Sequence, residues 1–368
     1  MPSVFKFAAR VAIGLLVLIG GFFPSAAAAQ NTRMYFYHGY AFGSEAVYNP
    51  LAVILNGGYG ILQIGSGERK PSAIDYRTAW RNVRDNVTHP VREIRTFGWK
   101  TFVTTEILPT RLTPRSAQYV PNYQNHLIGG GMTYRMLREW FAWHGYPRSA
   151  VWASGSWLAY HLLNEMVENN NYVGTNVDPI ADMLVFNPLG ALLFSDDRAA
   201  AFFAETLQLR DWSFFPTINP FTGALENNGQ NFAIKWRFPG QQTWSLFYSF
   251  GLNGIVGLSY RRVDGKSISA GGGIMARNLC QVDRDDEVRS LTADLVWNVG
   301  LFYDRDGSLM ASLLFSGSRA YKARINLYPG LIRFGDMAPA FFSALGQRHE
   351  IIFGISLRCA PVGIALEL

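Results

Sequence analysis

The sequence predicts an α+β protein, an N-terminal helical domain followed by an antiparallel β-barrel of about 8 to 10 strands. Apolar residues recur with helical spacing in the first part of the chain, then switch to strict alternation from Gln230 onward. The 36 glycines and 14% aromatic residues suit strands that need turns, bulges and bulky one-sided faces. With 49% hydrophobic and 16% charged residues over 368 positions, the chain is too apolar for a disordered tail and long enough for one or two packed domains.

The first element is a signal peptide over residues 1–29. Lys6 and Arg10 precede an apolar run from Val11 to Phe23, followed by Pro24, Ser25 and the small residues Ala26 to Ala29. That run is well short of the roughly 20 residues a membrane-crossing helix needs, and no later apolar stretch reaches that length. Removing Lys6 and Arg10 leaves 31 basic residues against 27 acidic, a mature charge of +4 in place of +6. Such mild basicity suits an anionic envelope surface and is far from a nucleic-acid footprint, so no nucleic-acid partner is expected. In an oxidising periplasm Cys280 and Cys359 could pair or remain two thiols, and spacing does not decide between them.

Residues 30–229 read as a helical periplasmic domain. Tyr35 to Ile64 is apolar and broken by Asn49-Pro50 and Asn56-Gly57-Gly58, which predicts two short helices flanking a glycine corner. Arg77, Arg81 and Arg84 fall on one helix face, a solvated stripe that would also suit lipid phosphates. Helices are expected over Gln124–Trp143 and Ala150–Glu168, with Gly129 to Gly131 and the small residues Ala153 to Ser156 explained by close helix approach. A third helix starts at Asp178, with Pro179 in its first turn, and Asn187-Pro188-Leu189-Gly190 is read as its end. Asp211 to Asn231 is too apolar for a free linker and should pack the two parts together, with the helices under the periplasmic mouth of the barrel.

Residues 230–368 form the barrel domain. Phe232, Ile234, Trp236 and Phe238 alternate with Asn231, Ala233, Lys235 and Arg237, and the same rule holds through Trp244–Leu252 and Leu291–Tyr303. Asp264-Gly265 and Asp306-Gly307 are hairpin turns between such runs. Strands are expected near 230–238, 243–252, 254–263, 266–276, 290–304, 308–317, 320–328, 349–358 and 361–368, with long connections at 277–289 and 329–348. Several approach the roughly 9 to 11 residues of a tilted membrane strand, which together with the leader points to the outer membrane of a Gram-negative envelope. A soluble periplasmic barrel that binds a ligand, with the apolar face turned inward, has the same alternation.

His161, Glu165 and Glu168 share one face of an otherwise apolar helix, and buried carboxylates demand partners. His126, Asp178 and Asp182 are the candidates nearby. A divalent metal would be held by Glu165, Glu168, Asp178 and Asp182, with histidine adding nitrogen suited to zinc, manganese or iron. General acid-base catalysis would use His126, His161, Glu165 and Asp182. A polar network that ties three helices together uses the same residues. No HExxH, GxSxG or phosphate-binding glycine loop is present.

The order His126-Leu-Ile-Gly-Gly, Asn164-Glu165 and Asp178-Pro-Ile-Ala-Asp182 resembles a loose group of uncharacterised Gram-negative envelope proteins, some of them small periplasmic lipoproteins. Larger members join a helical His/Glu/Asp domain to an outer-membrane-type barrel. The resemblance extends over about Tyr35 to Trp236; it implies an envelope location and no particular chemistry. No lipid-modified cysteine stands at the expected cleavage point, which leaves the strands as the anchor. The expected role is envelope structure or lipid handling, with outer-membrane lipid or lipopolysaccharide as partner and no turnover assigned. The alternatives are an envelope lipid hydrolase or acyl-modifying enzyme, and a soluble ligand-binding barrel.

Overall fold

The computed structural model describes residues 33–64, 69–108, 119–284, 288–318, 321–346 and 350–368, and between 278 and 293 only the backbone. The leader expected over 1–29 lies outside the described residues. Helices occupy the chain as far as Thr206, and strands follow from Arg210. No helix among the described residues is long and apolar enough to cross a membrane.

The α-helices of the first region include α1 (Pro50–Gly58), α2 (Tyr76–Thr88), α3 (Pro90–Phe97), α4 (Trp99–Phe102), α5 (Gly131–Trp143), α6 (Ser149–Asn169), α7 (Asp178–Ala181), α8 (Asn187–Ser195) and α9 (Asp197–Ala201). Asn49 caps α1 by accepting from the Ala52 amide at 2.9 Å, and Asp75 caps α2 through Thr78. Gly57 and Gly58 are not a corner between helices. They form the last turn of α1, where a Cβ would meet the Tyr160 ring at 2.3 Å and Leu163 at 2.6 Å, so α1 lies directly on α6.

The expected helix over 124–143 is a π-helical segment, Asn122–Gly130, running into α5. A second π segment, Asp182–Phe186, joins α7 to α8. The expected stop at Asn187-Pro188 is therefore a start: Pro188 sits in the first turn of α8, where its missing N–H costs little after the wider π turn. Close approach explains Gly131, where a Cβ would lie 2.6 Å from the Gly190 carbonyl oxygen of α8. Gly155 differs, being exposed with nothing within 4 Å.

The strands are β1 (Arg210–Asp211), β2 (Thr217–Ile218), β3 (Leu225–Glu226), β4 (Asn231–Arg237), β5 (Trp244–Gly251), β6 (Asn253–Arg261), β7 (Lys266–Arg284), β8 (Val288–Arg305), β9 (Ser308–Ser316), β10 (Ala323–Leu327), β11 (Ala340–Leu345), β12 (Ile351–Ser356) and β13 (Gly363–Glu367). They form one sheet in the order β1-β4-β5-β6-β7-β8-β9-β10-β11-β12-β13-β2-β3. The closed barrel of eight to ten strands is thus replaced by a thirteen-stranded sheet whose end strands, β1 and β3, do not pair with each other among the described residues. The reason lies in residues 210–226, expected to be packing linker, which occupy the free edges of both β4 and β13. Arg210 and Asp211 pair with β4, whereas Thr217 and Ile218 pair in parallel with β13, so one short extended stretch touches both edges. The two expected long connections also shrink, because β7 and β8 pair as far as Arg284 and Val288, and β11 lies within 329–348.

Side-chain direction is the decisive property of the sheet. Trp236, Leu246, Val256, Leu258, Ile268, Ile274, Trp297, Val299, Leu301, Phe353, Ile355, Ile364 and Leu366 are exposed, while Ser245, Ser249, Ser259, Ser267, Ser269, Asn298, Ser312 and Asn326 are buried. The opposite face is filled by Trp212, whose ring lies 5.7 Å from Phe247 and 5.4 Å from Phe302, and by Phe215 against Tyr328 and Phe342. Lys235 is buried there in an ion pair with Asp304. Glycine is required where strands approach: a Cβ on Gly273 would lie 1.9 Å from the Gly254 carbonyl oxygen.

The helices pack on the outer side of β4 and β5. Phe232, Ile234, Tyr248 and Phe250 point the same way as exposed Trp236 and Leu246, and join a core with Met132, Trp157, Tyr160 and Phe194. This corrects the expected position under a barrel mouth. The apolar stripe of β4 and β5 is half covered by helix and half bare.

Candidate functional site

His126 is set by the π segment 122–130, which lies across β5, and Asp182 opens the π segment 182–186. Such wider turns are rare and often mark functional positions, since they swing a side chain out of the helical register. His126 Nε2 is 3.1 Å from Asp182 Oδ2, and its Nδ1 is 3.1 Å from Asn187 Oδ1. With Nδ1–H donating to Asn187, Nε2 holds the lone pair, so the contact with Asp182 needs its proton on the carboxyl. Burial favours that distribution: it depresses the His126 pKa to about 4 and holds the Asp182 carboxyl well above the usual range, helped by the charges of Asp178 and Glu165.

His161 and Glu165 lie one turn apart on α6, 2% and 1% exposed. The rings of His126 and His161 are 5.6 Å apart. Neither ring nitrogen of His161 has a hydrogen-bond partner among the described residues, whereas the Glu165 and Asp182 carboxyls share a hydrogen bond, which requires a proton on one of them. Burial pushes the Glu165 carboxyl up, with the Asp178 and Glu168 charges adding to it, and pushes the His161 imidazole down. One oxygen from each of Glu165, Glu168 and Asp178 lies within 4.8 Å of the others. Asp182, also expected among the metal ligands, lies outside that group of three and faces His126 instead.

Three contributors had no sequence signal. Glu106, in the π turn after α4, is buried; desolvation and the Asp178 charge raise its pKa to about 8. Asn122 donates to the Glu106 carbonyl at 3.1 Å, and Asn187 orients His126. Asn164 donates to Glu168 Oε1 at 2.6 Å, which was foreseeable from the i, i+4 spacing.

A cavity of about 380 Å³ adjoins these groups. His126, His161 and Asp182 line one side, and Phe232, Ile274 and Leu295 of the sheet another. Ile274 and Leu295 belong to the exposed apolar face, so the space connects a polar, acid-rich wall with the outer surface of the sheet. No family model, curated protein or solved structure matches the chain.

Proposed function

We propose that this chain is an outer-membrane-associated envelope protein, with its sheet embedded in lipid and its helices held beside the embedded surface, acting in lipid handling. The direction of the alternation carries the reading. Apolar side chains face out along β4 to β8 and β12 to β13, while the inward face mixes serines, asparagines and the Lys235–Asp304 pair with Phe247, Phe302 and Phe342; the wide outward apolar surface is what a lipid-facing barrel requires. The stretch 210–218, paired with both β4 and β13, supports a ring completed through it in the membrane. A soluble ligand-binding barrel would leave this outward apolar surface in water, which counts against that alternative. Val151 and Leu158 on α6 and Leu189 and Leu192 on α8 extend the apolar surface, with outer-membrane lipid or lipopolysaccharide as the partner.

A second reading, an envelope lipid hydrolase or acyl-modifying enzyme, is favoured by the cavity that joins the His126–Asp182 pair to apolar strand residues. The first experiment is expression of the full chain in a Gram-negative host, carbonate washing of membranes, and gel mobility before and after boiling. Retention in the outer membrane with a heat-dependent shift supports embedding; release without a shift refutes it. Variants of His126 that stay folded and lose lipid processing would favour the enzyme.

A further inference from the structure

We propose that a second cavity, inside the sheet at the end that carries the Asp264-Gly265 and Asp306-Gly307 turns, binds a phosphate-class anion through Arg210, Arg237 and Arg261. The cavity holds about 310 Å³ and is lined by these arginines together with Lys235, Trp212 and Asp304, none of which borders the cavity beside His126. Strand register builds it. Arg237 and Arg261 follow buried Lys235 and Ser259 by two residues on β4 and β6, so all four belong to the inner face. Arg237 stands opposite Ser245, and Arg261 opposite Ser267, which in turn faces Asp304. Serines beside long cationic side chains leave the space between them open.

The charge pairing points to an anion. The three acids that border the cavity are engaged elsewhere: Asp304 pairs with Lys235, Glu205 lies 3.5 Å from Arg33 and Asp306 lies 3.8 Å from Arg305. The guanidinium groups of Arg237 and Arg261 have no hydrogen-bond or ion-pair partner among the described residues. Arg210 donates through Nη1 to the carbonyl oxygens of Ala204 and Leu209, at 3.0 and 2.9 Å, while its Nε is buried and without a partner. Burial holds the Arg210 pKa below its ordinary range, and the Arg261 charge adds to that; Glu45, Tyr40 and Asp304 offset it only in part. A cation withdrawn from water without a carboxylate is costly, and a bound anion offsets the cost. Three planar donor forks match the several oxygens of a phosphate, and the volume leaves room for a group esterified to it. These side chains converge wherever the sheet sits, so the site does not depend on the membrane reading.

The test is calorimetry on the full chain folded in a non-ionic detergent, titrated with inorganic phosphate, glycerol 3-phosphate and dihexanoyl phosphatidic acid. One anion per folded chain is expected, with affinity reduced about tenfold or more in Arg261→Gln, a change that strands no partner. Preference for the diacyl compound makes a lipid headgroup the source, and preference for either of the other two makes it a soluble phosphate; both outcomes support the site. Failure of all three to bind, or unchanged binding by folded Arg261→Gln, overturns it. A second readout needs only the parent: phenylglyoxal modification, mapped by mass spectrometry, should be blocked by the bound anion at Arg237 and Arg261 and should proceed at the exposed Arg77 and Arg81 of α2. Blocking at the α2 arginines with none at Arg237 and Arg261 refutes the assignment.

Discussion

Nε2 of His126 faces Oδ2 of Asp182 at 3.1 Å inside a buried pocket, and this contact joins the two π-helical segments. Because the surroundings depress the His126 pKa to about 4, the unfolded chain binds a proton at higher pH than the folded one. Stability from this residue is present above about 6.5 and is lost as pH falls toward 4, by up to about 3 kcal/mol. The facing groups are His161, whose depressed pKa acts in the same sense, and Asp182 and Glu165, whose raised pKa values remove stability as pH rises. Denaturant titrations in detergent at pH 7 and 4.5 should show a smaller acid loss in His126→Asn than in the parent. Parallel losses would exclude His126 as the source.

Val256 lies on the exposed face of β6, its side chain turned away from the buried serines. In lipid, Val256→Arg should cost about 2–4 kcal/mol near the bilayer middle. On a water-exposed sheet the same change would stay within about 0.5 kcal/mol. The folded fraction in lipid vesicles, scored by gel mobility without boiling, separates these outcomes.

Glu139 of α5 accepts from Arg135 Nε at 2.9 Å and from the backbone amides of Tyr35, Phe36 and Tyr37 at 3.0, 2.8 and 2.9 Å. It is fully buried and fastens the start of the described chain to the helices. Glu139→Ala leaves three amides and the Arg135 Nε–H without their acceptor, while the guanidinium keeps Asp197 at 2.9 Å, and should destabilise by about 3–5 kcal/mol. Adding Arg135→Met should restore only part of that loss, because the three amides remain unpaired. Full recovery in a double-mutant unfolding cycle would show that the ion pair alone mattered.

The alternation of β4 to β9 was legible because each run is long and regular, yet it could not say which face meets solvent. That needed the position of Trp212, Phe214 and Phe215, which fill the side opposite the exposed apolar face. Strands β1, β2 and β3 have two residues each, too short for any periodicity, although they decide how the sheet ends. Within the helices, the stripe His161, Glu165 and Glu168 was readable at i, i+4 and i+7. Glu106 was not, since it lies in a π turn with no regular pattern around it, and the contact of His126 with Asp182 depends on two such turns.

Gly131 and Gly190 bring α5 and α8 together, and the same crossing fixes the distance between His126 and Asp182. A Cβ on Gly190 would meet the Leu127 carbonyl oxygen at 2.5 Å, and backbone cannot yield as a flexible side chain would. Gly190→Ala should cost about 1–3 kcal/mol by forcing the helices apart. Separation also admits water to the pocket, so the His126 pKa, read from its imidazole proton resonances, should rise from about 4 toward the ordinary 6.5. Gly155→Ala is the matched control, since that exposed helical glycine has nothing within 4 Å. It should be neutral or stabilising by up to about 1 kcal/mol and leave the His126 titration unmoved. If Gly190→Ala lowers the melting temperature while the His126 titration stays in place, the crossing supports the fold without controlling the contact.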